Sequence, residues 1–290
     1  MARKPAVTGR TSIIPLVGHP VEQVKTPGPM NQWFAEQGID AVVVPMDVRP
    51  ERVAAFFDVL KATENCVGCT ITMPHKQAAF AASDEVSERA RRAKAVNIIR
   101  RTPSGKLVGD MTDGLAMVVA LKQRGVALGG RNVLVIGAGG AGTAIAHAVA
   151  EEGAASLTIV EQDQMRQRAL MADLERFYPG LAVSDAVRPG RAIDIAINAT
   201  PTGMAPHDPY PYPLEMLPEA TVFADAITRP VVTRWLNEAG RRGARIQTGE
   251  EMALAQVPIL LTYLRFMAEA AASPAPEESG GVKRRKAAAR

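Results

Sequence analysis

The chain has 290 residues, of which 47% are hydrophobic, so it is long and apolar enough to bury the cores of two ordinary domains. No apolar run reaches the roughly 18 residues of a membrane span, and the first ten residues are polar and basic, so we expect no signal peptide and a cytoplasmic location. The net charge of +4 lies mostly in residues 273–290, whose five basic and two acidic side chains sit among Pro, Gly, Ala and Ser. We expect this tail to be disordered, and the near-neutral remainder to bind neither nucleic acid nor membrane.

The first part of the chain alternates apolar, β-branched runs with segments of helical spacing. These patterns predict strands over 11–17, 41–46 and 66–73, and helices over 30–37 and 50–61. A charged helix over 87–94 and a strand pair, 95–100 and 106–109, follow. Such alternation predicts βαβ units and a mainly parallel sheet covered on both faces.

A second α/β unit begins with a helix predicted over 113–124. Strands are predicted over 132–136, 156–160, 193–199 and 221–225, and helices over 143–152, 164–177 and 251–271. A Pro-rich loop occupies 201–218. The fold class is therefore α/β with two domains, over 1–112 and 113–249, and the final helix, about 250–272, returns to the first domain.

Lys76 directly follows an apolar strand and a proline, in the stretch GCTITMPHK that starts at Gly68. Pro74 fixes the backbone φ of the turn, so the amine is held at the end of the strand. A lysine held in this way can act as a general acid or base, or bind a polar substrate. The alternatives are a solvated lysine on a turn, or a plain salt bridge with Asp113.

A complete G-x-G-x-x-G pattern lies between the strand 132–136 and the following helix, at Gly137, Ala138, Gly139, Gly140, Ala141 and Gly142. This context is typical of dinucleotide binding, because the glycines permit a tight turn, approach of a pyrophosphate and close packing of helix on strand. Glu161 follows Gly137 by 24 residues and ends the next strand. A carboxylate there accepts hydrogen bonds from both ribose hydroxyls and repels a 2′-phosphate, so we predict NAD over NADP, with NADP possible. The alternative is a surface glutamate.

Cys66 and Cys69 form a single C-x-x-C. Such a pair can be a redox centre or half of a zinc site, but no second pair exists and the four histidines are scattered. We therefore expect no metal site and interpret both cysteines as small apolar residues of a buried strand.

Taken together, six motifs in this order resemble the shikimate/quinate dehydrogenase family from about residue 12 to residue 268. They are Thr72-Met73-Pro74-His75-Lys76, Ala95-Val96-Asn97, Thr112-Asp113-Gly114, the glycine turn, Asn198-Ala199-Thr200-Pro201-Thr202-Gly203-Met204, and Gly249 to Gln256. The resemblance implies an N-terminal substrate-binding domain and a C-terminal Rossmann-type NAD(P)-binding domain. It implies reversible hydride transfer between a nicotinamide and a ring hydroxyl or ketone of an alicyclic hydroxy acid (shikimate, quinate or a related compound), as in aromatic amino acid biosynthesis.

The resemblance also implies residue roles. Lys76 and Asp113 would be catalytic, since a positioned amine can exchange the hydroxyl proton and stabilise a developing alkoxide. Substrate contacts would come from Thr26, Thr72, Asn97 and Gln256, and from the positions of Val24 and Thr228. Besides the glycine turn and Glu161, cofactor contacts would come from Asn198, Thr200, Met204 and Gly249. Asn97 and Gln256 could instead satisfy buried backbone groups.

The sequence departs from the family where the substrate carboxylate is held. The family's Ser-x-Ser-Pro is here Val24-Lys25-Thr26-Pro27, so one hydroxyl donor is replaced by methyl groups. Lys25 could supply a substitute charge, although in an extended segment it points away from its neighbours and solvent exposure is at least as reasonable. Thr70 and Met111 stand at family asparagines and Thr228 at a family tyrosine. We therefore expect a divergent member that prefers a related cyclic polyol or a less polar hydroxy acid.

Two alternatives remain open at this stage. One is a non-catalytic NAD-binding sensor with an altered substrate pocket, and the other is a dehydrogenase of the same two-domain layout that acts on an unrelated small metabolite. In each case the partner is a small molecule, and the chain is expected to be a monomer or a homodimer.

Overall fold

The computed structural model describes residues 7–188, 192–218 and 220–267. The strands are β1 Ser12–Gly18, β2 Ala41–Asp47, β3 Gly68–Ile71, β4 Glu85–Val86, β5 Ile98–Arg101, β6 Leu107–Asp110, β7 Asn132–Ile136, β8 Ser156–Val160, β9 Ala182–Ser184, β10 Ile195–Asn198, β11 Val222–Asp225 and β12 Arg245–Gln247. The helices are α1 Pro27–Gln37, α2 Val53–Ala62, α3 Lys76–Ala82, α4 Glu88–Ala93, α5 Asp113–Gln123, α6 Gly140–Glu151, α7 Gln164–Phe177, α8 Arg234–Arg241 and α9 Gly249–Tyr263. Within these described ranges no helix has the length and apolarity needed to cross a bilayer. The basic tail, 273–290, and the predicted end of the final helix lie outside them.

The first sheet has the strand order β2-β1-β3-β5-β6-β4. Strand β1 pairs in parallel with β2 and β3, as the βαβ alternation predicts, and β4 pairs in parallel with β6. The predicted pair β5 and β6 enters antiparallel, because a short turn connects them instead of a crossover helix. The carboxyl ends of β1 and β3 therefore lie side by side, and they lead to the Val24 segment and to Lys76.

The second sheet is parallel throughout and has the order β12-β11-β10-β7-β8-β9. Counted from β7 as the first strand, this is the doubly wound order 3-2-1-4-5-6 read from its other edge. The order reverses between β7 and β10, and ligands of such sheets bind at this switch point. The glycine turn follows β7, and the Asn198–Met204 segment starts at the end of β10.

Helix α9 contributes to the cores of both halves of the molecule, the first half built on the sheet of β1–β6 and the second on the sheet of β7–β12. Its first turns bury Met252 and Ala255 against α5, α6 and the second sheet, whereas Leu260 and Leu261 pack beside Ile14 in the core formed by β1, β2 and α1. The helix starts with a capping box in which the side chains of Thr248 and Glu251 satisfy each other's backbone N–H groups. The helix thus packs against both halves, while the domain limits, with the final helix joined to the first domain, stay a prediction.

Some elements differ from the sequence prediction. Lys76 is not on an open turn but is the first residue of α3, a seven-residue helix too short to show an apolar period. His75 before it is buried, and its Nε2 lies 2.6 Å from the carbonyl oxygen of Val48, which anchors the turn. The predicted helix 50–61 begins with a 3₁₀ turn, Pro50–Arg52, before α2. The short α8 was not predicted.

Candidate active site

A cleft opens between the carboxyl ends of the two sheets, and residues of both halves line it. Val24, Thr26, Thr72, Lys76 and Asn97 contribute from the first half. The second half and α9 contribute Asp113, Ala141, Thr200, Met204, Thr228, Gly249 and Gln256. The predicted catalytic and substrate residues therefore lie around one cavity.

Lys76 and Asp113 form an ion pair in the floor of this cleft. The Nζ of Lys76 lies 2.5 Å from Oδ2 of Asp113, and the side chains are 22% and 6% exposed. Asp113 is the first residue of α5, where a carboxylate interacts favourably with the helix dipole. The pair keeps its ammonium accessible from the cleft while the carboxylate is buried below it.

The second oxygen of Asp113 is held by two side-chain amides. Asn97 donates to Oδ1 over 2.6 Å, and Gln256 donates to the same atom over 3.0 Å from α9. Asn97 also accepts a hydrogen bond from the backbone N–H of Thr112 over 2.8 Å. Asn97 thus does satisfy a backbone group, but both amides also fix the orientation of the carboxylate that binds Lys76.

This arrangement can exchange a proton with a bound hydroxyl or carbonyl oxygen. A carboxylate that is fixed by two amides holds the lysine amine in one position, which a general acid or base requires. As an ammonium, Lys76 can also stabilise negative charge that develops on such an oxygen.

The region around Val24 is the part of the cleft where the sequence departs from the family pattern. Val24 is half-buried and packs against the core of the first half. Sequence reasoning allowed Lys25 to be exposed to solvent. In the structure it is half-buried and paired with Glu250 of α9 over 3.0 Å. Thr228 donates to the backbone carbonyl of Gln23 over 2.9 Å, and so connects the two halves.

Thr70 is the other unusual group of this region. It lines the cleft and is 4% exposed, yet its Oγ1 has no hydrogen-bond partner among the described residues. Met111, at the other replaced asparagine, is buried and packs in the core of the first half. Of the two replaced asparagines, only Thr70 therefore offers a polar group to the cleft.

The glycine turn has the geometry that a dinucleotide needs. Gly137 has φ 101°, a conformation that favours glycine. A Cβ on Gly142 would lie 1.9 Å from the carbonyl oxygen of Gly137, so no side chain fits between helix and strand. A Cβ on Gly139 would meet nothing within 4 Å, which leaves its backbone open to a phosphate. The turn therefore fits the pyrophosphate of a dinucleotide.

Glu161 lies against this turn. Its carboxylate accepts the backbone N–H of Ala138 over 2.7 Å and that of Asp163 over 3.0 Å. Asp163 also caps α7 and binds Arg166 over 3.0 Å. The nearest arginine of this segment is thus already paired with a carboxylate.

Asn198 does not line the cleft but supports the loop that does. It is fully buried, and its side chain binds Thr200 N–H over 3.0 Å, Thr202 O over 3.1 Å and Asp225 Oδ1 over 3.3 Å. Asp225 also accepts from Ile227 N–H and Thr233. Burial raises the pKa of Asp225 to about 7. Sequence reasoning missed this aspartate, and its signal was a carboxylate ending an apolar strand.

The two cysteines are buried, and burial raises the pKa of both thiols. A buried, protonated thiol is unreactive. This supports the interpretation of both cysteines as apolar residues in the core of the first half.

Comparisons with known proteins agree with these features. Residues 16–99 match the family model of the shikimate dehydrogenase substrate binding domain, and residues 119–205 match that of shikimate / quinate 5-dehydrogenase. A shikimate dehydrogenase (NADP(+)) from Rubrobacter xylanophilus is 37% identical over 256 residues, which cover 87% of this chain and 90% of that protein.

Two solved structures are similar over nearly their full length. Shikimate 5-dehydrogenase from Thermus thermophilus, in complex with NADP(H) and shikimate, is 30% identical with a TM-score of 0.76, and the match covers 90% of this chain and 98% of that one. The ligand-free 5-ketofructose reductase of Gluconobacter sp. strain CHM43 is 29% identical with a TM-score of 0.75, and the match covers 91% and 98%.

Proposed function

Because the chain belongs to the shikimate/quinate dehydrogenase family, we propose that Lys76 and Asp113 are its catalytic pair. Membership makes the chain an NAD(P)-dependent oxidoreductase that acts on a CH–OH group, with reversible hydride transfer between the nicotinamide and a ring hydroxyl or ketone. This argues against a non-catalytic sensor. The observation that carries the proposal is the Lys76–Asp113 ion pair. The pair faces the same cleft as the loop after β10, which belongs to the second half and contributes Thr200 and Met204.

The proton steps follow from this geometry. A nicotinamide dinucleotide held at the glycine turn would supply or accept the hydride at the reacting carbon. In the direction of ketone reduction, the Lys76 ammonium donates a proton to the oxygen as negative charge develops there, and becomes a neutral amine. In the direction of oxidation, the amine accepts the hydroxyl proton. Asp113 stabilises the charged form in both directions, and Asn97 and Gln256 keep its carboxylate oriented.

Substitution of Lys76 tests this role. Lys76→Ala should lower kcat by roughly 10²–10⁴-fold, the usual contribution of a positioned acid or base, while cofactor affinity, followed by fluorescence titration, stays unchanged. Lys61→Ala is the matched control, because Lys61 also pairs with an aspartate, Asp84, over 3.0 Å, but outside the cleft. Activity retained in Lys76→Ala would remove Lys76 from the mechanism.

We further propose that NAD is preferred, with NADP as the alternative. The supporting feature is the Glu161 carboxylate at the glycine turn, since a 2′-phosphate would meet its negative charge there. Arg166, the first arginine after Glu161 in the chain, is paired with Asp163. The name of the Rubrobacter relative gives NADP(+) as its cofactor, so the proposed preference of this chain for NAD would differ from the cofactor of that relative.

The ratio of kcat/KM for the two cofactors tests this preference. Wild-type protein should favour NAD, and Glu161→Gln should move the ratio towards NADP. Glu175→Gln, an exposed position on α7, is the control and should leave it unchanged. A wild-type ratio that favours NADP would overturn the preference.

The proposed substrate is an alicyclic compound of the shikimate and quinate class. A neutral keto compound is a second candidate. It is favoured by Val24 at the carboxylate-binding position and by the similarity to a 5-ketofructose reductase. Initial rates of shikimate and quinate oxidation with NAD and NADP, and of ketose reduction with NADH and NADPH, separate the two candidates.

A further inference from the structure

The charged groups of the cleft balance one another. Among the described residues, the cleft is lined by two cations, Lys25 and Lys76, and one anion, Asp113. Lys76 is paired with Asp113, and Lys25 is paired with Glu250 over 3.0 Å. Both cations of the lining are therefore already bound to a carboxylate.

A substrate carboxylate would enter this site at a cost. It would lose its hydration and meet the methyl groups of Val24 in place of one hydroxyl donor of the family's Ser-x-Ser-Pro, and no unpaired cation of the lining would compensate for this loss. To bind Lys25, it would have to compete with Glu250, which is held nearby as the second residue of α9. A hydroxyl or carbonyl group carries no such cost.

The start of α1 is also a poor anion site. A helix N-terminus binds anions through its free N–H groups, but Pro27 and Pro29 have none, so only Gly28 offers a donor among the first three helical positions. Thr26 precedes them and makes no capping bond with its side chain. This corner therefore offers a neutral hydroxyl and one backbone donor.

The unpaired polar groups of the cleft suit a neutral partner. Thr70 lines the cleft, and its Oγ1 is buried without a hydrogen-bond partner among the described residues, so this part of the wall contains a neutral hydroxyl and no charge. A hydroxyl can both donate to and accept from a ligand hydroxyl. The methyl groups of Val24 add apolar surface to the same cleft.

We propose that the preferred substrate of this chain carries an uncharged hydroxyl or carbonyl group, rather than a carboxylate, at the end of the cleft formed by Val24, Thr26 and the Lys25–Glu250 pair. This rests on the proposed function, which supplies the reaction at Lys76. Glu250 is then a specificity-determining residue, because it neutralises the lysine that a carboxylate would use.

A matched pair of substrates tests the proposal. Shikimate and its carboxamide have the same ring and hydroxyls and nearly the same shape, but only shikimate is charged. We expect wild-type protein to use the carboxamide with a kcat/KM equal to or above that of shikimate. A preference for shikimate of roughly tenfold or more, the change typical for one hydrogen bond to a charged group, would overturn the proposal while leaving the proposed function intact.

Two variants sharpen this test. Glu250→Gln should free Lys25 and move the ratio roughly tenfold towards shikimate, for the same reason. Glu22→Gln is the control, because Glu22 pairs with Arg229 over 3.7 Å at exposed positions, and its ratio should stay at the wild-type value. An unchanged ratio in Glu250→Gln, with a wild-type melting temperature, would overturn the role of Glu250.

Turnover of neither compound has a different meaning. If the cofactor binds but wild-type protein oxidises neither shikimate nor its carboxamide, the shikimate-class substrate of the proposed function fails. Reduction of a neutral ketose with NADH or NADPH would then support the inference, and turnover of none of these compounds would overturn it.

Discussion

The glycine turn of the second half and the Val24 segment of the first half are the proposed cofactor and substrate ends of the cleft, and they are specified by different means. The turn is specified by backbone geometry, since Gly137 needs its positive φ and Gly142 has no room for a Cβ. The Val24 segment is specified by side chains, which include the Lys25–Glu250 pair and the unpartnered Thr70 of the described cleft. A position that needs the backbone geometry of glycine tolerates few other residues, whereas a single side chain of the Val24 segment can be replaced without changing its neighbours. Under the proposed function, this difference would allow cofactor binding to be retained while the substrate end diverges.

Substitutions in the glycine turn should have the largest effect. Gly142→Ala would place a methyl group against the carbonyl of Gly137, so helix α6 must move away from β7. We expect a loss of several kcal/mol of unfolding free energy, within the range for overpacked and strained sites, together with loss of cofactor binding. Calorimetry and fluorescence titration measure both.

Gly139→Ala is the matched variant, because its Cβ meets nothing within 4 Å. It should keep the wild-type melting temperature and still weaken cofactor binding, since the methyl group occupies the approach of the pyrophosphate. Equal stability losses in both variants would contradict the distinction between packing and binding glycines.

Between the two regions lies the Lys76–Asp113 pair, whose effect should come next. Asp113→Asn keeps the shape but removes the charge that holds Lys76. We expect kcat to fall by roughly 10²–10⁴-fold with a small change in cofactor affinity. A stopped-flow measurement of hydride transfer would show whether the chemical step is affected, and an unchanged rate there would contradict the role of the pair.

Asp225, at the end of β11, gives a pH-dependent effect on the free energy of unfolding of a few kcal/mol at most. The pKa of Asp225 is raised to about 7, so the folded state keeps a proton that the unfolded chain releases near pH 3.8. Stability should therefore fall as pH rises from about 4 to about 7. The pKa of His147 is lowered to about 4 by burial, which gives the opposite slope between about pH 4 and 6.5.

Comparison with Asp225→Asn separates these two contributions. In the variant, the free energy of unfolding should no longer fall because of Asp225. The variant should therefore become more stable relative to wild type as the pH rises from about 4 to about 7. Denaturant titrations near the two ends of that range would measure it. A pH-independent difference would show that Asp225 does not change its protonation between the folded and unfolded states.

Thr70→Val should have the smallest effect and bears directly on the substrate end. Valine has the same shape without the unsatisfied hydroxyl, so stability should rise by about 1 kcal/mol. The KM of the preferred substrate should rise in the same variant, while that of the cofactor stays unchanged. A lower stability would show that Thr70 Oγ1 has a partner in solution.

The parts of the site that sequence reasoning could predict are those whose chemistry is local. Lys76 after a strand and proline, Asp113 at a helix start and the glycine turn each carry their signal within a few residues. The Lys25–Glu250 pair and the Thr228–Gln23 hydrogen bond could not be predicted, because about 200 residues or more separate the partners in the chain. Asp225 was missed because the partners that make it important, Asn198 and Thr233, are brought to it only by the fold.

Helix α9 has a consequence for the order in which the protein can be made. Leu260 and Leu261 belong to the core of the half that is synthesised first. During translation, β1, β2 and α1 leave the ribosome long before the helix that covers their apolar surface. The nascent N-terminal half must therefore wait with an incomplete core until α9 has been made, and protection from aggregation in this interval would come from chaperones or from the ribosome surface.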